Sequence, residues 1–186
     1  MRLAPLLLLL AATAHAQLPA GVAIDADGPA VSLGVPLPNF AEVSTSVYRS
    51  GQPEGAGVKL AKQLGIRSIL DLRLKVDDEE EESAGTSGIA VLHVPMNGVY
   101  SPTFEQVDRA LAVLTDPRRT PVLVHCHYGK DRTGVVIASY RVAVQGWSIE
   151  KAAGEARSFG CCAPFFLTIT DWLTYYMEHR GRITAP

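Results

Sequence analysis

The run Val122-Leu123-Val124-His125-Cys126-His127-Tyr128-Gly129-Lys130-Asp131-Arg132-Thr133-Gly134 concentrates the residues of this chain with the most chemistry to offer. It reads as a short apolar strand, a loop opened by Cys126, an arginine six positions on, and then a helix. A loop between a strand end and a helix start turns its backbone N–H groups inward, and the helix dipole adds positive potential there. Such a nest binds a dianion. Gly129 lets the backbone turn tightly, and Arg132 supplies a planar fork that fits two phosphate oxygens. Cys126 stands at the centre of that positive field, which favours thiolate over thiol and makes it a nucleophile. Thr133 can donate its hydroxyl hydrogen to the sulfur or to a leaving oxygen. These are the parts needed to displace a leaving group at phosphorus through a phosphocysteine intermediate. His127, Tyr128, Gly129, Lys130 and Thr133 are the substrate-binding candidates, with Lys130 adding a second cation at the rim. His125 is a supporting residue that orients the loop and helps keep the thiolate.

A strand end can carry this loop only if the rest of the chain builds a sheet around it. Residues 43–49 alternate weakly and predict a first strand, closed by the turn Ser50-Gly51-Gln52-Pro53. Residues 58–64 have helical spacing and stop at Gly65, a C′ glycine. Residues 66–72 and 89–94 read as further strands. Residues 77–82 are six consecutive acids, which predict a solvated loop or a frayed helix face because like charges repel. Pro102 opens a helix to Leu114, with Phe104, Val107, Leu111 and Leu114 on one face. Helices over 133–145 and 149–158 follow, the second capped by Ser148. Thr170 or Asp171 then caps a last helix to His179, with Trp172, Tyr175 and Tyr176 as its core face. Strands alternating with helices give the α/β class: a single domain with a mostly parallel central sheet flanked by helices.

A chain of 186 residues has room for one such domain, and 47% hydrophobic with 19% charged residues is a globular composition. A net charge of −2 implies no broad basic surface for nucleic acid. Residues 1–16 carry one arginine, an apolar run and Ala14-His15-Ala16, the plan of a secretory signal peptide cleaved before Gln17. The apolar run falls short of the ~20 residues a membrane span needs, so no stable membrane insertion is expected after cleavage. The mature protein is then periplasmic or secreted. Residues 17–38, rich in Ala, Gly and Pro, form a leader, and the domain occupies residues 39–182. Export exposes Cys126, Cys161 and Cys162 to an oxidising compartment. The adjacent pair Cys161-Cys162 reads as a vicinal disulfide, as a resolving thiol for Cys126, or as two ordinary thiols in a turn. A zinc site drawn from His93, His125, Cys126, His127, Cys161 and Cys162 is the competing use of these residues.

His125, Cys126, Gly129, Arg132, Thr133 and Gly134 resemble the His-Cys-x5-Arg-Thr signature of the Cys-dependent protein tyrosine phosphatase superfamily. Tyr48-Arg49-Ser50-Gly51-Gln52-Pro53, Leu64-Gly65-Ile66 and Asp71-Leu72-Arg73 resemble the amino-terminal half of the small dual-specificity phosphatases. Tyr140-Arg141 with Gln145-Gly146-Trp147 resembles the helix after the loop in exported bacterial members. The first half is also similar to the plant and fungal atypical enzymes that act on inositol pyrophosphates. The likeness runs over about residues 39–166. It implies a dual-specificity phosphatase-like fold and a metal-independent enzyme without cofactor. It also implies hydrolysis of phosphomonoesters of the phosphotyrosine or phosphoserine-threonine type. The alternative substrates are an inositol phosphate, an inositol pyrophosphate or a phosphoinositide. The partner is a phosphorylated protein or small molecule, not a nucleic acid.

One part of the family pattern is missing. Most of these phosphatases place an Asp on a loop before the nucleophile to protonate the leaving oxygen, yet residues 91–104 contain neither Asp nor Glu. Three accounts compete. Asp131, inside the loop beside Arg132, serves as the acid, as an Asp at this place is proposed to do in lipid phosphatases such as the myotubularins. Glu105 reaches over from the first turn of its helix. Or the substrate carries a good leaving group, such as a diphosphate, and needs little help. Two readings of other classes are a sulfurtransferase, against which Arg132-Thr133-Gly134 speaks, and a phosphate-binding module without catalysis.

Overall fold

Five short strands, β1 (Ala41–Ser44), β2 (Val47–Ser50), β3 (Ser68–Asp71), β4 (Ala90–His93) and β5 (Val122–His125), form one sheet in the order β1-β2-β5-β3-β4. The computed structural model describes residues 36–162 and 168–180. The expected signal peptide, and the leader as far as residue 35, lie outside the described residues. β2, β5, β3 and β4 are parallel, and β1 joins β2 as an antiparallel hairpin. The single strand expected over 43–49 is therefore two, reversed at Thr45-Ser46. Thr and Ser suit a strand as well as a turn, and no Gly or Asn marks the reversal.

The pleat sends alternate side chains to opposite faces. Leu123 and Ile69 pack on one side with α1 (Gly55–Gln63) and α2 (Asp78–Thr86). Val122, Val124 and Leu70 pack on the other with α3 (Phe104–Thr115), α4 (Asp131–Ala143), α5 (Ile149–Ser158) and α6 (Ile169–His179). β5 is buried along its whole length between these layers, as its unbroken apolar run anticipates. Packing begins before β1: Leu37 is fully buried on the α1 side.

Helix starts follow their caps. Thr103 and Gln106 form a capping box, Gln106 N–H donating to Thr103 Oγ1 at 3.2 Å and Thr103 N–H to Gln106 Oε1 at 2.8 Å. α3 accordingly starts after Thr103 rather than at Pro102. Thr168 caps α6, in place of the expected Thr170 or Asp171. Trp172 and Tyr176 are buried on α6, but Tyr175 is 55% exposed, so the last helix buries a narrower face than the sequence suggests. Tyr176 donates to Asp108 across the α3–α6 contact at 2.5 Å, and burial with that carboxylate raises its pKa. Among the described residues no helix is long and apolar enough to cross a membrane.

The acidic run departs most from expectation. Asp77 caps α2 by accepting from Glu80 N–H at 3.2 Å, and the helix N-terminus favours the negative charges that follow. Asp78, Glu79, Glu81 and Glu82 are exposed, as a solvated face should be. Glu80 is not: it is 3% exposed and faces the sheet.

Candidate active site

Parallel register brings four polar residues into line at the carboxyl ends of the strands. Ser50 and Asp71 both pair with His125, and Asp71 pairs with His93 on its other side. The loop that starts at Cys126 leaves the sheet from this edge, where open α/β sheets bind ligands.

Each carbonyl of the loop is held from outside. His125 Nδ1 faces Cys126 O at 3.2 Å, and Gln52 N–H donates to His127 O at 3.0 Å. Asn39 Nδ2 lies 3.4 Å from Tyr128 O and 3.3 Å from Gly129 O, and also donates to Phe159 O at 2.9 Å. Arg49 Nη2 donates to Gly129 O at 2.5 Å, and Gly134 N–H to Lys130 O at 2.7 Å. In a planar trans peptide the C=O and the following N–H point opposite ways. Carbonyls drawn outward therefore leave the N–H groups of His127, Tyr128, Gly129, Lys130 and Asp131 facing the loop centre. The first turn of α4 adds its own free N–H groups and its dipole. An arrangement of this kind holds a tetrahedral dianion over Cys126, which is a free, buried thiol at its base.

Close approach makes Gly129 obligatory. Its φ is +68°, and a Cβ there would stand 2.6 Å from Ser50 C, Ser50 O and Gly51 N. The Tyr48–Pro53 motif is thus a cradle for the back of the loop. Arg49 is its buried cation, 1% exposed, with its guanidinium carbon 3.7 Å from the centroid of Phe159. Burial pulls Arg49 down to about 10, against the raising influence of Glu155 and the Cys126 sulfur, so it stays charged at neutral pH. Its Nε and Nη1 have no partner among the described residues. Thr133 Oγ1 is buried and likewise unpartnered among them, as a hydroxyl kept for sulfur or substrate would be.

Arg132 lies half-buried on the first turn of α4, with Nη1 3.5 Å from Met96 O. A Cβ on Gly98 would meet its Cζ at 3.4 Å, so the 97–101 segment closes directly over the fork. Arg132, Asp131, Tyr100, Pro102, Cys162 and Trp172 share one pocket. Asp131 Oδ1 accepts the Cys162 N–H at 2.6 Å. Glu105 is exposed on α3 and is not among the residues lining this pocket. His127, Tyr128 and Lys130 are exposed and line a separate depression with Asn39 and Gln52.

The remaining cysteines form a disulfide, Cys161 to Cys162, with Cys162 at a φ of +72°. Cys161 Sγ fits against α4 because residue 134 is glycine: a Cβ there would stand 2.8 Å from it. The residues of the zinc alternative are dispersed to other partners. His93 Nε2 faces Arg73 O at 2.6 Å, His127 Nδ1 faces Gln52 Oε1 at 3.1 Å, and His125 Nε2 faces Glu80 Oε1 at 3.0 Å.

Sequence reasoning passes over Asn39, Arg49, Asp71, Arg73 and Glu80 as individual contributors. For Glu80 a signal exists: Ala84, four residues on and buried on the same helix face, marks which side of α2 looks inward.

Known proteins share the sequence family and the fold. Residues 34–163 match the tyrosine phosphatase family. The chain is 31% identical to the dual specificity protein phosphatase TpbA of Pseudomonas aeruginosa over 125 residues, 67% of this chain and 56% of that protein. The match therefore spans only about half of TpbA's length. It is 33% identical to the inositol diphosphatase DSP5 of Arabidopsis thaliana over 140 residues, covering 73% of this chain and 68% of the relative. The core catalytic domain of the PP-IP phosphatase SIW14 from S. cerevisiae, in complex with citrate, superposes with a TM-score of 0.69 at 28% identity. That superposition covers 80% of this chain and 92% of the other. TpbA in complex with pTyr superposes with a TM-score of 0.64 at 25% identity, covering 82% of this chain and 97% of the other.

Proposed function

We propose, for a chain that belongs to the tyrosine phosphatase family, that it hydrolyses phosphomonoesters through a phosphocysteine intermediate. The observation that supports this reading is the loop's set of anchored carbonyls, which turns the N–H groups between the free, buried Cys126 thiol and Arg132 on the first turn of α4 toward the loop centre. Cys126 attacks phosphorus in line with the leaving oxygen, while Arg132 and the loop N–H groups hold the other three oxygens. The P–S bond forms as the P–O bond breaks, and the leaving oxygen takes a proton. Water then displaces the sulfur and releases phosphate. Thr133 serves the sulfur, and His125 supports the loop from behind.

Asp131 is the proposed donor to the leaving oxygen and acceptor from the attacking water. Its carboxylate shares a pocket with Arg132, whereas Glu105 lies outside it. A general acid is worth about 10² to 10⁴ in rate, and most where the leaving alkoxide is poor. Asp131→Asn should therefore lower kcat/KM for an alkyl phosphate by about 10² or more, and for p-nitrophenyl phosphate far less. Equal losses on both substrates remove the acid role.

The substrate class is a phosphorylated protein, phosphotyrosine foremost, as TpbA is named for dual specificity and binds pTyr. A second reading, an inositol pyrophosphate, is favoured by the likeness to DSP5 and SIW14. Phosphate release from a phosphotyrosine peptide and from an inositol pyrophosphate decides between them. A higher kcat/KM for the peptide supports the first, and the reverse order replaces it with the second. Release from neither, in reduced protein that still binds tungstate, makes the chain a binding module.

Residues 1–16, with their arginine, apolar run and Ala-His-Ala end, support an exported enzyme working in a periplasm or outside the cell. Sequencing the amino terminus of the protein recovered from an osmotic-shock fraction tests this. A start at Gln17 supports export, and an intact Met1 in the cytosolic fraction overturns it.

A further inference from the structure

Burying a carboxylate costs several kcal/mol unless charge and hydrogen bonds meet it. Glu80, alone among the acids of residues 77–82, is buried, and both its oxygens are met. Arg73 Nη2 donates to Oε2 at 2.6 Å, and His125 Nε2 faces Oε1 at 3.0 Å. Arg73 also forks onto Asp71, with Nε 3.0 Å and Nη2 2.9 Å from its oxygens. The groups facing the His125 ring are Glu80 from α2, Asp71 Oδ1 from β3 at 3.8 Å, and the Cys126 carbonyl. His93 from β4 turns to the Arg73 carbonyl instead.

These neighbours set the state of the ring. A carboxylate and a carbonyl only accept, so a ring that satisfies Glu80 and Cys126 O together donates from both nitrogens. Two carboxylates, Asp71 and Glu80, also share one guanidinium, and a cationic ring makes the buried group neutral. We infer that Glu80 is a positioning residue of the catalytic loop, fixing His125 as a doubly hydrogenated ring directly behind Cys126. The ring then does two things. It draws the Cys126 carbonyl outward, so that the next N–H faces the phosphate, and it places a positive charge behind the loop at that carbonyl. Glu80 reaches neither substrate nor sulfur; it acts through His125.

The inference deepens the phosphatase reading and rests on it for its effect on rate, but the state of the ring is open to measurement without turnover. Glu80→Gln keeps size and one acceptor oxygen while removing the charge. In the ¹⁵N spectrum of the wild-type protein both His125 ring nitrogens should be hydrogen-bearing, and in Glu80→Gln only one. kcat for p-nitrophenyl phosphate should fall about 10- to 100-fold in that variant. Glu80→Asp, which restores the charge with a shorter reach, should recover part of the loss. Glu80→Ala leaves Arg73 and His125 short of a partner and risks unfolding, so the isosteric variant is the decisive one. A wild-type ring with a single hydrogen-bearing nitrogen overturns the inference, as does a Gln variant whose ring or kcat matches wild type. A wild type without turnover would sink the phosphatase reading, while the ring spectra would still decide what Glu80 does to His125.

Discussion

Cys126→Ser should lower kcat for p-nitrophenyl phosphate by on the order of 10⁴ to 10⁶ while leaving tungstate binding within a few-fold of wild type. Serine keeps the shape of the loop floor but is a far weaker nucleophile there, because a hydroxyl does not ionise in this pH range as a thiol does. The N–H groups proposed to bind the oxyanion follow carbonyls anchored by Gln52, Asn39, Arg49 and His125, and none of those contacts involves the sulfur. Binding and chemistry should therefore separate cleanly in this variant. EDTA should leave wild-type activity unchanged. Loss of tungstate binding along with turnover would mean that the substitution collapsed the loop. Retained turnover would remove Cys126 as nucleophile. Native protein should offer one thiol to a labelling reagent after denaturation without reductant, and three after reduction, because Cys161 and Cys162 are joined.

Arg132→Ala should cost about 10³ to 10⁵ in kcat/KM, the range seen when an arginine is taken from a transferring phosphoryl group. Arg132 is the side-chain fork of the loop, standing on the first turn of α4 with residues 97–101 closed over it. Arg49 stands on the other side of the loop, its Nη2 bonded to Gly129 O and its guanidinium stacked over Phe159, and is not placed to replace it. Arg132→Lys should recover little, because a single ammonium meets one oxygen where the fork meets two. Both kcat and KM should move, since phosphate oxygens are held in the ground state as well as in the transition state. A change in KM alone would confine Arg132 to binding.

Cys126 and Arg132 are legible in the amino-acid sequence, and Glu80 is not. The difference is one of range. Cys126, Gly129, Arg132 and Thr133 are the proposed working set, and they sit on one short strand-loop-helix segment whose spacing is visible in the sequence. Glu80 lies 45 residues from His125 in the chain, and Arg49 lies 80 residues from Gly129. Among six acids in a row only the spacing to Ala84 marks Glu80, and the rotation of α2 against the sheet is what turns that face inward. The hairpin reversal at Thr45-Ser46 is hidden for the opposite reason, since its residues suit a strand as well as a turn.

Asp131 stands between the two cases. Its place next to Arg132 is visible in the sequence, and its contact with Cys162, 31 residues on, is not. The same fold that closes Cys161 and Cys162 into a disulfide turns the Cys162 N–H onto this carboxylate. By itself, then, the sequence singles out the candidate nucleophile, the candidate phosphate fork, the glycine turn and the alternation that makes a parallel sheet, all set by patterns within a few residues. The tertiary structure decided what stands behind the loop: which acid is buried, which arginine is withdrawn from solvent, and which donors pull the carbonyls outward. Those choices depend on the parallel register of β2, β5 and β3, which brings distant segments of the chain to one edge of the sheet.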